Sequence, residues 1–153
     1  MGPRTLPDDA PKSFTDDYLL YLLAQTSAAA SHAFHSELES EGIPVSTWRI
    51  LSSLYPNQKI NVGQLAERCL LKQPTLTRTL DRLSAAGLVE RIHETTDRRG
   101  VKVRLTGDGA TLANSLIHKA KTHEAQTLSS FSKQERETFI RHLRKILDRS
   151  RET

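Results

Sequence analysis

Gln73, Thr75, Arg78, Thr79 and Arg82 crowd into one short stretch of the chain, directly after Lys72. These side chains suit the edges of base pairs. Gln can make a paired hydrogen bond to adenine and Arg to guanine, while Thr offers a hydroxyl and a methyl group. No acidic residue interrupts the segment before Asp81, and a helix N-terminus attracts phosphate through its dipole and free amides. A second pair, Arg98 and Arg99, stands at the end of a polar loop. A narrow minor groove concentrates negative potential and draws in such a side chain. Asp97 beside the pair would hold one guanidinium in place through a two-point contact. The chemistry implied is recognition of duplex DNA.

Catalysis has no comparable footing. The sequence contains no Gly-rich phosphate loop, no metal-ligand cluster and no legible Ser/His/Asp arrangement, so neither enzymatic turnover nor a cofactor is expected. His32 and His35 lie one helical turn apart, too few for a zinc site. Cys69 is the single cysteine, which excludes an internal disulfide and fits a reducing compartment. It falls on an apolar stripe, where a buried thiol is normally inert.

Charge distribution supports the same reading. The 153 residues carry 22 basic and 18 acidic side chains, and the pI is about 9.4. Between Lys72 and Leu105 stand eight basic residues and four acidic ones, so this segment holds the whole net charge of +4. The remainder is balanced. A localised excess of this kind fits a polyanionic partner. Mean hydropathy is −0.49, no apolar run approaches the length of a membrane span, and the N-terminus has no basic-then-apolar signal pattern. A cytoplasmic protein is expected.

The elements that would position these residues can be read from periodicity. Residues 1–14, with three prolines, form a flexible arm. A long helix should begin near Asp16, with Leu19, Leu22, Leu23, Thr26, Ala30, Ala33, Phe34 and Leu38 on one face, and end at Gly42 and Pro44. A second helix runs from Val45 to Tyr55, with Trp48, Leu51 and Leu54 inward. Asn61 caps a short third helix whose inner face is Val62, Leu65, Ala66 and Cys69, and Gln64 resembles its capping-box partner. After a brief turn, Gln73-Pro74 opens the fourth helix, which Leu76, Leu80 and Leu83 anchor and Gly87 closes. Leu88–His93 and Val101–Leu105 read as two strands of a basic β-hairpin. Thr106 caps a fifth helix, and Ser132 with Glu135 forms a capping box for a sixth, with Phe139, Leu143, Ile146 and Leu147 as its stripe. Short helix, turn, helix and basic hairpin in that order spell a helix-turn-helix followed by a wing. The fold class is mainly α with a small β-hairpin wing. An aromatic content of only 5% suggests a core completed by association.

The run NVGQLAERCLLKQPTLTRTLDRLSAAGLVERIHETTDRRGVKVRLTGDG resembles the MarR (multiple antibiotic resistance regulator) family. The matching parts are the LA of the third helix, TRTLDRLSAAGLVER, the DRR tip and VRLT leading into the next helix. The resemblance covers residues 16–150. It implies a homodimer joined through its terminal helices, 15–44 and 106–150, around a DNA-binding lobe at 45–105. It implies pseudo-palindromic operators and repression relieved by a small ligand. Gln73, Thr75, Arg78 and Thr79 would then face bases, Lys72 and Arg82 would lie nearer phosphate, and Arg99 would enter the minor groove.

An effector in that family sits between the dimer helices and the DNA-binding lobe. Here the crevice would be lined by Ser31, His32, His35, Trp48 and Arg49, with His118 nearby. Trp48 offers a stacking surface, and Arg49 or a histidine offers a partner for an anion. The segment VSTWRIL is similar to members that answer to aromatic acids or their coenzyme A thioesters. The alternative is a winged-helix adaptor whose basic face binds an acidic protein surface without reading DNA sequence. A salt titration separates the two, because DNA binding weakens steeply as phosphate counterions compete.

Overall fold

Seven helices and three short strands make up the computed structural model, which describes residues 12–93, 96 and 100–152. They are α1 (Phe14–Asp17), α2 (Leu19–Ser40), α3 (Val45–Leu54), β1 (Ile60–Asn61), α4 (Val62–Cys69), α5 (Gln73–Ala85), β2 (Val89–Ile92), β3 (Lys102–Leu105), α6 (Gly107–Thr127) and α7 (Lys133–Arg151).

The single long N-terminal helix is replaced by two. The Ser13 amide donates to the Asp16 carboxylate at 2.7 Å, which closes one turn on itself, and the Phe14 and Tyr18 rings stack 4.9 Å apart. Tyr18 is extended, and α2 starts after it. The wing also differs from a plain hairpin. Ile60 pairs with Val103 and Asn61 with Lys102, so β1 completes a three-stranded antiparallel sheet in the order β1-β3-β2. A two-residue strand has no periodicity to betray it. Only the long-range pairing creates it.

The core lies where α3, α4 and α5 meet the sheet and the first half of α6. Ile50, Leu51, Leu54, Leu65, Leu76, Leu80, Val103 and Leu116 are fully buried there. Phe34 and Leu38 bring the end of α2 into the same cluster. Trp48 and Val62, expected inside, are only half-buried at its rim.

The rest of the α2 stripe is not covered. Leu19 and Leu22 are exposed, and Leu23 and Ala30 half-exposed. No residue of α1 or α7 is buried. Phe14, Leu20, Phe131, Phe139, Ile140 and Leu147 lie open as well. The terminal helices therefore present apolar side chains that nothing among the described residues shields.

Local signals are met where they are chemical. Asn61 Oδ1 accepts from the Gln64 amide at 2.8 Å, as an N-cap should. Thr106 caps α6 by accepting from the Gly109 amide at 3.0 Å. Ser132 and Glu135 make the full reciprocal box on α7. Asn61→Ala should cost about 1 kcal/mol in chemical denaturation, with the slope on denaturant unchanged. A loss below about 0.3 kcal/mol would mean that α4 is held by packing alone.

Candidate nucleic-acid interface and effector recess

The turn between α4 and α5 is tight. Leu70 adopts a left-handed conformation, φ 54°, and the Leu71 amide donates to the Ala66 carbonyl at 3.0 Å. Such a turn sets α5 across α4, and Leu65, Ala66, Leu76, Leu80 and Leu83 fuse the two into one unit. Pro74 sits in the first turn of α5, where its missing amide costs nothing.

The outer face of α5 presents Gln73, Thr75, Thr77, Arg78 and Arg82 to solvent, with Lys72 exposed at its N-cap. Thr79 does not belong there. It is 2% exposed, and its hydroxyl donates to the Thr75 carbonyl at 2.9 Å. It is three residues after Leu76 and four before Leu83, so the helical repeat carries it into the apolar stripe. Thr77, four residues after Gln73, takes the outward place. The spacing that puts Thr79 inside is legible in the sequence.

Asp81 is held by Arg91 of β2 through a 2.7 Å ion pair. The bridge removes an anion from competition at the front of α5 and ties that helix to the wing. Glu90 is likewise paired with Arg104 across the β2–β3 ladder. Among the described residues, no carboxylate holds Arg78 or Arg82, both of which are exposed. Arg98 and Arg99, with Asp97, lie outside the described residues.

A second concavity opens between α2, α3 and α6. It has a volume of about 290 Å³, and Ser31, Phe34, Trp48, His123 and Glu124 are among its lining residues. Phe34 packs edge-on to Trp48 at 5.1 Å and stacks on the His123 ring at 5.6 Å. Of the residues expected in the crevice, Ser31 and Trp48 line it. His32 is exposed on α2, and His35 and Arg49 are half-buried beside the recess rather than in its wall. His118 is exposed and borders a different shallow depression on α6. The helical repeat explains the shift: a residue adjacent in sequence to Trp48 is rotated about 100° from it. His123 and Glu124 went unread, although Ala113, Leu116, Ala120 and His123 follow one helical stripe.

Burial lowers the pKa of His35 first, Arg49 adds to this, Glu39 opposes it, and His123 and His32 contribute in the same sense as Arg49. Burial raises the Cys69 thiol above its ordinary range, against smaller opposing effects of Ser53, Arg49 and Arg68. Its Sγ lies 3.4 Å from the Arg49 carbonyl. A buried thiol with raised pKa has little thiolate to react. Among the described residues, no group of three or more His, Cys, Asp or Glu is arranged to hold a metal ion.

Comparison with known proteins bears on this arrangement. Residues 43–101 match the model of the MarR family. The MarR family transcriptional regulator SPO1453 of Silicibacter pomeroyi DSS-3 is 40% identical, covers 90% of this chain and is itself 98% covered, with a TM-score of 0.76. This chain belongs to the MarR family. Sequence relatives of the MarR-family chain carry matching names. The HTH-type transcriptional regulator PecS of Dickeya dadantii is 36% identical over 90 residues, which span 59% of this chain and 52% of PecS. The homoprotocatechuate degradative operon repressor of Escherichia coli is 31% identical, over 64% of this chain and 66% of its own length. As a MarR-family member the chain is a transcription regulator and not an enzyme. No helix among the described residues is long and apolar enough to cross a membrane.

Proposed function

We propose that this MarR-family chain is a homodimeric repressor that reads pseudo-palindromic duplex DNA and is released by a small aromatic acid. The observation that carries the DNA reading is the outer face of α5. Gln73, Thr75, Thr77, Arg78 and Arg82 are exposed on it together, and the nearest acidic residue, Asp81, is engaged by Arg91. Gln73, Thr75, Thr77 and Arg78 address base edges, Lys72 and Arg82 address phosphate, and Arg99 of the Arg98-Arg99 pair, on sequence alone, is assigned the minor groove. The uncovered apolar side chains of α1, α2 and α7 supply the surface of the dimer. A two-fold dimer presents two copies of α5, which matches an operator of repeated half-sites.

The effector reading rests on the recess between α2, α3 and α6. Its 290 Å³ lies at the small end of ligand pockets, which run from roughly 300 to 1,000 Å³. It suits one aromatic ring against Phe34 and Trp48 better than the bulk of a coenzyme A thioester. That a relative is named as repressor of a homoprotocatechuate degradative operon agrees with an aromatic effector.

A gel shift on the gene's own upstream region tests the proposal, combined with a salt titration. A complex at low salt that weakens by orders of magnitude between 50 and 200 mM salt is the result expected of several phosphate contacts. No complex at low salt, or sedimentation as a 17.2 kDa monomer at micromolar concentration, would overturn it.

A further inference from the structure

We propose that an aromatic acid enters the α2–α3–α6 recess together with a proton, which is taken up by His123. The inference rests on the effector reading above and adds the condition under which an anion can be held there.

Among the described residues the recess wall has one charged residue, Glu124, and it is an anion. No described Lys or Arg lines it. Arg49, which the sequence offered as the anion partner, stands outside the wall. His123 is the lining group that can become cationic, so the state of its ring decides what charge the recess accepts.

Its hydrogen bonding sets that state. Nε2 lies 2.7 Å from the Ala30 carbonyl oxygen. A carbonyl only accepts, so Nε2 carries the hydrogen. The Thr127 hydroxyl, 3.4 Å from Nε2, donates to the His123 carbonyl at 2.9 Å. In the neutral ring the lone pair is therefore on Nδ1, which has no protein partner among the described residues. A lone pair repels a carboxylate. Protonation turns Nδ1 into a charged donor and the same contact into a charge-assisted hydrogen bond. The Nε2–Ala30 bond survives both states, so the ring need not move.

Charged and titratable groups stand on each element around the recess. On α2 stand His32, His35 and Glu39; on α3, Arg49; on α6, Glu124. Lys119, one turn before His123, is engaged by Glu37 and Glu41. His35, disfavoured as a cation first by burial, also feels Arg49, His123 and His32 as charges opposing its own protonation. A carboxylate that meets Nδ1 requires a proton there, and its own charge compensates that proton. An uncharged ligand has no such requirement, since a hydroxyl can donate to Nδ1 directly.

Calorimetry on the intact protein tests this, with phenylacetate as the acid and 2-phenylethanol as its uncharged counterpart. Titrations at pH 8, well above the ordinary histidine range near 6.5, are run in buffers of different ionisation enthalpy. The expected result is uptake of about one proton per phenylacetate bound, an affinity that falls about tenfold per pH unit from pH 7.5 to 9, and no uptake with 2-phenylethanol. His123→Gln, checked for native helicity, should bind phenylacetate without proton uptake. Phenylacetate that binds with buffer-independent heats and constant affinity would overturn the inference and leave the effector reading standing. Phenylacetate that fails to bind at any pH while 2-phenylethanol binds would overturn the acid effector and the inference with it.

Discussion

Gly109→Ala is expected to cost about 3 kcal/mol of folding stability, a fall in Tm of roughly 6–12 °C for a chain of this size. A Cβ built on Gly109 would stand 1.8 Å from the Leu88 carbonyl oxygen and 2.8 Å from the carbon that carries it. Both atoms are backbone, so no side chain can rotate away. The surroundings are also fixed. Leu88 O accepts from the Thr106 amide at 3.1 Å, and the Thr106 hydroxyl donates to the Gly87 carbonyl at 2.6 Å. The N-terminus of α6 is thus seated on the corner that leads from α5 into β2. A methyl group there must pry α6 off the DNA-binding lobe. Gly107→Ala is the control: nothing lies within 4 Å of its added Cβ, and replacing a helical glycine should be neutral or slightly stabilising. Thermal unfolding of the two variants decides. A Gly109→Ala protein that melts with the parent would mean that the corner yields.

Arg78→Ala is expected to weaken operator binding by about 1–3 kcal/mol, roughly 5- to 150-fold, and to relax sequence preference at one position in each half-site. The argument is positional. Arg78 is exposed in the middle of the α5 outer face, free of any carboxylate among the described residues. A guanidinium there can make the two-point contact with guanine that carries most discrimination in a major groove. A neighbouring pair sharpens the test. Thr77 faces out and Thr79 is buried, so Thr77→Ala should alter base preference while Thr79→Val leaves it unchanged. A binding assay on parent and mutated half-sites reads all three. If Arg78→Ala binds like the parent, α5 does not read DNA with this face. If Thr79→Val changes preference, the burial of Thr79 in the free protein is lost in the complex.

The two glycine variants and the two threonine variants mark the limit of local reading. Residue chemistry fixed the capping positions: Asn61, Thr106 and Ser132 each carry a side-chain oxygen that satisfies a free amide at a helix start. Leu76, Leu80 and Leu83 fixed which side of α5 is buried, because a 3.6-residue repeat leaves no other choice. The pre-proline and glycine punctuation fixed where α5 begins and ends. The same repeat places Thr79 with the leucines.

Other features were beyond that reach. Nothing near Gly109 signals that the Leu88 carbonyl will press against it, since twenty-one positions separate the two along the chain. Strand β1 exists because Val103 and Lys102 lie alongside it. His123 lines the recess because α6 crosses α2 at Ala30, and Arg49 fails to line it because α3 turns it away beside Trp48.

The sequence by itself therefore determined the order of short helix, turn, helix and wing, the buried face of α5 and the segment that holds all the net charge. These follow from neighbours a few residues apart. The tertiary structure alone decided that β1 joins the sheet, which glycine cannot be replaced and which charge lines the recess. Each of those depends on a contact between segments far apart in the chain, and no local pattern encodes a distance.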